Sequence, residues 1–80
     1  MTRDERRQTV LRVLGEIAPE IDPAQVKDHV PFREQLDLDS MDFLRFVVAL
    51  GKEVGVEIPE ADYPKLTTLG AWLDYLASRV

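Results

Sequence analysis

The chain has no cysteine, and that single absence removes disulfides, thiolate metal sites and a cysteine nucleophile together. It has one histidine, His29, too few for a multi-histidine metal site within one chain. It lacks any excess of positive charge. Its 10 Lys and Arg stand against 15 Asp and Glu, giving a net charge of −5 and a pI near 4.7. The electrostatic footprint of a nucleic-acid binder is therefore missing. No apolar run approaches the roughly 20 residues that a membrane span needs. The stretch Met1-Thr2-Arg3-Asp4-Glu5-Arg6-Arg7 has none of the apolar core of a secretory signal. Alternating strand patterns, internal repeats and low-complexity segments are also absent. These exclusions lead to the expectation of a cytoplasmic, soluble domain that neither binds nucleic acid nor inserts into a membrane.

What is present fits a single domain, residues 1–80. A chain this short buries only about 60% of the surface it exposes when unfolded. That is too little to enclose a deep, water-free active site, so an enzyme is not expected. Helical periodicity runs through most of it. Val10, Leu14 and Ile17, widened by Leu11 and Ala18, predict a first helix of three to four turns that begins near Asp4 and Glu5 and stops before Pro19. Arg3, Arg6, Arg7 and Arg12 read as a solvated face paired with Asp4, Glu5 and Glu16. A second helix is predicted from Ser40 to Val54, with Phe43, Phe46, Val47, Leu50 and Val54 on one arc and Leu44 and Val48 extending it. That arc is too wide for one buried stripe, so the helix is either central or partly exposed for contact with something else. Gly51 weakens its last turns and Gly55 caps it. Glu60-Ala61-Asp62-Tyr63 predicts a single turn that Pro64 ends or tightens. Thr67 or Thr68 then caps a last helix on which Leu69, Trp72, Leu73, Leu76 and Val80 share a face.

Between the first two long helices lies a segment of about twenty residues punctuated by Pro19, Pro23 and Pro31. A structureless loop of that length is unusual in a compact domain. Asp22 and Pro23 can start one short turn. Ile21, Val26, Val30, Phe32, Leu36 and Leu38 can pin the rest against the bundle. The charge excess gathers here: between Asp28 and Asp42, the acids Asp28, Glu34, Asp37, Asp39 and Asp42 face only Arg33.

That acidic collar surrounds Ser40. A serine before an amphipathic helix is ordinarily its N-cap, but a capping box wants an acid or amide three residues on, and that position holds Phe43. Three residues after Asp39 is Asp42, able to return a bond to the cap's amide. Asp39 is thus the better cap, and Ser40 becomes the first helical residue with an outward hydroxyl. The helix end also favours a negative group through its unpaired amides and dipole. A hydrolase nucleophile is not indicated, since no Gly-x-Ser-x-Gly elbow surrounds Ser40. A calcium loop starting at Asp37 fails too: it demands glycine at position six and glutamate at position twelve, where Asp42 and Val48 stand.

Leu36-Asp37-Leu38-Asp39-Ser40-Met41-Asp42 resembles the phosphopantetheine attachment motif of the acyl carrier protein family, whose core is Asp-Ser-Leu. The resemblance continues through Glu57-Ile58-Pro59 and Lys65-Leu66-Thr67-Thr68-Leu69 to Asp74-Tyr75-Leu76. It implies an all-α, acyl-carrier-like four-helix bundle, with three main helices, a short third one and a long first loop, in a discrete monomeric carrier. It implies 4'-phosphopantetheine, derived from coenzyme A, placed on Ser40 by a phosphopantetheinyl transferase. Acyl groups carried as thioesters would then be presented to acyl-loading and acyl-processing enzymes. Asp39 would cap the helix and, with Asp37 and Asp42, mark the site for the transferase, while Met41, Arg45 and Val48 would contact partners. Phe32, Val47, Leu50, Ile58, Leu66 and Leu73 would line an acyl-chain cleft, or serve simply as core.

The sequence also departs from the family. Met41 replaces the common leucine, and the Ser40–Val54 helix is neutral where fatty-acid-synthase carriers present a row of acids. Arg45, Gly51 and Lys52 fill those positions, and Val48 with Gly51 would make the face flatter and more apolar. The expectation is a dedicated fatty-acid, lipid or polyketide-type pathway. A peptidyl or aminoacyl carrier usually shows Gly-Gly shortly before the serine, where this chain has Asp37 and Leu38. The alternative of another class is a small acidic helical interaction module without modification.

Overall fold

Thr2 starts the first helix. The computed structural model describes residues 2–79. The Thr2 hydroxyl accepts from the Glu5 amide at 3.1 Å while the Glu5 carboxylate accepts from the Thr2 amide at 2.9 Å. This reciprocal box satisfies two amides that a helix end leaves open. It also holds the Glu5 carboxyl below its ordinary pKa, the Thr2 amide being the largest cause. The helix, α1, spans Arg3–Ile17 and stops short of Pro19. Val10, Leu11, Val13, Leu14 and Ala18 are buried, whereas Ile17 is only partly so. The stripe therefore tilts toward Val13, because α1 is covered from two sides, by α3 and α4, rather than along one seam.

Arg3 and Arg12 of α1 are exposed as expected, but most of the pairing differs from that expected. Arg3 reaches Asp74 at 3.0 Å, Arg7 pairs with Asp28 and also donates to the Val26 carbonyl at 3.3 Å, and Arg12 bridges Glu16 at 3.5 Å and Glu53. Apart from the Arg12–Glu16 contact, these bonds run to other parts of the chain, since the long side chains lie over the edges of the bundle.

The long loop is packed rather than structureless. Asp22 caps a 3-10 turn at Pro23–Gln25, its carboxylate accepting from the Ala24 amide at 3.0 Å. A four-residue helix, α2 (Phe32–Gln35), follows. The Gln35 side chain closes the loop by accepting from the Lys27 amide and donating to the Lys27 and Val30 carbonyls, each at 2.8 Å. Val26, Phe32 and Leu38 are buried. Two backbone bonds tie the loop to the far end of the chain: Phe32 donates to the Thr67 carbonyl at 2.8 Å and Gly70 donates to the Asp28 carbonyl at 2.9 Å.

The next helix, α3, spans Ser40–Val54 and ends at Gly55, whose φ of 70° is the left-handed cap that favours glycine. Phe46, Val47 and Leu50 are buried, while Met41, Leu44 and Val48 are exposed. The wide apolar arc is thus part core and part open surface. Gly51 does not belong to the open part. It is half-buried, and a Cβ there would meet the Val56 carbonyl at 2.8 Å. The glycine lets the chain double back against α3, so it flattens the inner side of the turn and not a docking face.

Glu60–Lys65 forms a six-residue 3-10 helix that runs through Pro64 instead of ending there. Proline's fixed φ suits that geometry and its only loss is one amide donor. Thr68 caps α4 (Leu69–Ala77), its hydroxyl accepting from the Ala71 amide at 3.1 Å. Leu69, Trp72, Leu73 and Leu76 are buried; Val80, expected on the same face, lies outside the described residues. The core centres on Phe46, which meets Phe32 and Trp72 edge-to-face at 6.0 and 5.4 Å between ring centroids. The protein is therefore all-α, three long helices around one core, with the short elements gathered on the connections. No described helix is long and apolar enough to cross a membrane, and no three acidic or histidine side chains are grouped to hold a metal among the described residues.

Candidate attachment site

The site is built at the first turn of α3. Asp39 is extended, with φ −86° and ψ −180°, and its carboxylate accepts from the Asp42 amide at 2.8 Å. Its carbonyl accepts the first helical bond, from the Phe43 amide, at 3.0 Å. Asp39 is the cap. Ser40 is the first helical residue, exposed, and its hydroxyl makes no hydrogen bond among the described residues. The helical geometry leaves the Ser40 and Met41 amides without intrahelical acceptors. An anionic group on the Ser40 oxygen would meet those amides and the positive end of a fifteen-residue helix. The site therefore fits a phosphodiester.

The expected return bond from Asp42 to the cap's amide does not form. The Asp42 carboxylate lies 3.7 Å from Arg45, three residues along α3. The acidic collar is also smaller than the sequence suggests, because Arg7 of α1 neutralises Asp28. Glu34, Asp37 and Asp39 remain exposed, Asp39 directly beside Ser40. Beyond them the outer face of α3 is apolar: Met41 is 66% exposed, Leu44 43% and Val48 48%. Arg45 is exposed beside them.

An open groove of about 390 Å³ adjoins the serine, lined chiefly by Leu38, Ser40, Phe43, Leu44, Tyr63 and Pro64, with Arg33 and Glu60 at its polar margin. A second groove of about 320 Å³ follows along α3, where Val47, Val48 and Gly51 face Val56, Ile58 and again Tyr63. The residues assigned to an acyl cleft divide between these places. Phe32, Val47, Leu50, Leu66 and Leu73 are buried in the core and Ile58 packs partly buried against it. Val47 and Ile58 also reach the second groove, and none of the six lines the groove beside Ser40.

The residues that do line it include Phe43 and Tyr63, the one expected in the core arc of α3 and the other in a connecting turn. Their rings meet edge-to-face, 82° apart with centroids at 6.3 Å. Position three after Ser40 was a usable signal for Phe43, since it shares the serine's side of the helix. Tyr63, isolated among polar residues, carried no comparable signal. The segment that bears it is anchored to α4 by the Tyr75 hydroxyl, which donates to Asp62 at 2.8 Å. Burial and that acceptor raise the Tyr75 pKa above the ordinary tyrosine value.

A family model described as a phosphopantetheine attachment site matches residues 7–76. The acyl carrier protein of Thermosynechococcus vestitus is 38% identical over 60 residues, covering 75% of this chain and 74% of that protein. The polyketide-8 synthase acyl carrier protein 2 of Streptomyces avermitilis is 34% identical over 80 residues, covering 100% of this chain and 86% of its own length. Among solved structures, the acyl carrier protein from Enterococcus faecalis superposes with a TM-score of 0.76 at 34% identity, each chain covered completely.

Proposed function

The chain belongs to the acyl carrier protein family, and on that premise we propose that Ser40 is where its 4'-phosphopantetheine is attached. One observation carries the assignment: Asp39 takes over the capping of α3, so the Ser40 hydroxyl stands exposed and unbonded at a helix N-terminus. The prosthetic group supplies a thiol on a flexible arm, to which an acyl group is joined as a thioester. The chain's own contribution is positional. The open amides of the first turn hold a negative charge on the Ser40 oxygen, and the apolar groove beside it gives the attached material somewhere to lie. Phe32, Val47, Leu50, Ile58, Leu66 and Leu73 then form the deeper shelter for an acyl chain. No group in this arrangement performs catalysis; the protein is a carrier, acting as a monomer in the cytoplasm.

A phosphopantetheinyl transferase with a basic face reads Asp37, Asp39 and Asp42. The acyl-loading and acyl-processing enzymes contact Met41, Arg45 and Val48. That face is apolar and its nearest acid, Asp42, is matched by Arg45. It fits partners of a dedicated lipid or polyketide-type pathway better than the basic-faced enzymes of general fatty-acid synthesis. The name of the Streptomyces relative points the same way.

Intact mass after incubation with coenzyme A and a phosphopantetheinyl transferase tests the assignment. The expected result is a gain of one phosphopantetheine that Ser40→Ala abolishes. No gain with several transferases would leave the unmodified interaction module as the better reading. For the pathway, binding of the modified protein to a basic-faced fatty-acid-synthase ketosynthase should be weaker than that of the resident carrier, and equal affinity would remove the idea.

A further inference from the structure

Two grooves run along α3 and share one lining residue. Ser40, Phe43 and Leu44 line the first, Val47, Val48 and Gly51 the second, so they occupy successive turns of the same helix. On the opposite wall a single residue, Tyr63, borders both. Its ring stands edge-to-face against Phe43, and both side chains are partly buried against the core. The wall is held from behind, because Asp62, next to Tyr63, accepts the Tyr75 hydroxyl from α4. Tyr63 is thus backed by α4 and faced by α3. The contact therefore joins a residue of the first groove, Phe43, to the residue that both grooves share.

We infer that the Phe43–Tyr63 pair sets the cargo of this carrier: short acyl groups lodge on the Ser40 side of the rings, and a long chain reaches the shelter beyond only by parting them. The inference rests on the carrier reading and adds a length limit to it. The first groove is open and of modest size, about 390 Å³, and must seat part of the arm as well as the acyl group. A chain of a few carbons is accommodated without disturbing the aromatic contact. A chain too long for the space left beside the arm has to break that contact or remain in solvent, where its thioester is open to nucleophiles, and octanoyl is the length that tests this.

The experiment loads Ser40 with butanoyl- or octanoyl-phosphopantetheine, using the acyl-coenzyme A and a transferase, and follows backbone amide shifts together with hydroxylamine cleavage of the thioester. In the parent protein, both cargoes should shift amides in the Ser40–Leu44 and Glu60–Pro64 regions and leave Val47 and Ile58 in place. In Tyr63→Ala the octanoyl form should shift Val47 and Ile58, and its cleavage should slow by roughly two- to tenfold, the factor corresponding to a removed edge-to-face contact. The butanoyl form should not change. Phe43→Ala opens the same passage from the other wall and stands in if Tyr63→Ala unfolds, while Tyr63→Phe keeps the ring and should keep the limit. Octanoyl shifts at Val47 and Ile58 in the parent protein as large as in the variants would overturn the inference, as would variants that leave cargo placement unchanged. Failure of Ser40 to accept the arm at all would instead count against the carrier reading, so the two failures are distinguishable.

Discussion

The Tyr75 hydroxyl donates to Asp62 at 2.8 Å, joining the last turn of α4 to the Glu60–Lys65 segment. This is a side-chain bond holding a connection that no buried residue of its own secures.

Replacing Tyr75 with Phe should therefore cost about 1 kcal/mol, the usual worth of one such bond, and increase amide exchange in Glu60–Lys65 more than in α1. The bond also gives a pH dependence. Folding raises the Tyr75 pKa, first through burial and then through the Asp62 acceptor. A raised folded-state pKa means stability that is complete below the ordinary tyrosine value near 10 and is lost as pH rises through the shifted value. Denaturant midpoints measured in alkaline buffers should fall with pH in the parent protein, and Tyr75→Phe should show the smaller slope.

Two helical glycines should respond in opposite directions to alanine. Gly15 has nothing within 4 Å of the position a Cβ would take. Gly15→Ala should stabilise the fold by up to about 1 kcal/mol, the helix propensity difference. At Gly51 a Cβ would meet the Val56 carbonyl at 2.8 Å, and backbone must move to admit it. Gly51→Ala should lower stability by about 1–3 kcal/mol despite the better helix former. Urea denaturation of the two variants side by side reads both signs.

Asp39 and Ser40 should separate cleanly by stability. Asp39→Ala removes the acceptor of the Asp42 amide and should cost about 1 kcal/mol, with Asp39→Asn recovering most of it. Ser40→Ala removes an unbonded, exposed hydroxyl and should change the thermal midpoint little. A Ser40→Ala loss as large as that of Asp39→Ala would show that the serine shares the capping.

Trp72 is fully buried, with its indole Nε1 unpartnered among the described residues. Its ring packs edge-to-face on Phe46 and on Tyr75. Trp72→Ala should cost about 3–5 kcal/mol through lost burial and the cavity left behind. Trp72→Phe should cost markedly less, because it removes the unpaired donor along with part of the ring. Calorimetry of the two variants checks the ranking.

The long helices were legible in the sequence because each carries a repeated apolar period, and the cap of α3 because Asp39 stands just before that period, although the return bond from Asp42 does not form. The capping by Asp39 and the bounds of α3 appear in the structure as the sequence implied. What escaped was set by contact between distant residues. Helix α2 has four residues, too few to show a period. The partners of Arg3, Arg7 and Arg12 lie as far off as Asp74, Asp28 and Glu53, and local charge counting cannot reach them. Gly51 looked like a helix weakness until the Val56 carbonyl appeared against it. The Phe43–Tyr63 contact depends on how the 3-10 helix turns toward α3, which neither residue's neighbours encode.

The two backbone bonds that anchor the first loop order events during synthesis. Phe32 needs the Thr67 carbonyl and Asp28 needs the Gly70 amide, so the approach to Ser40 cannot take its folded form until residues 67–70 have left the ribosome. A nascent chain can emerge with the serine, its cap and all of α3 and still lack the surface that leads to them. Any enzyme that reads the folded loop together with the helix end must wait until residues 67–70 are free to pair with it.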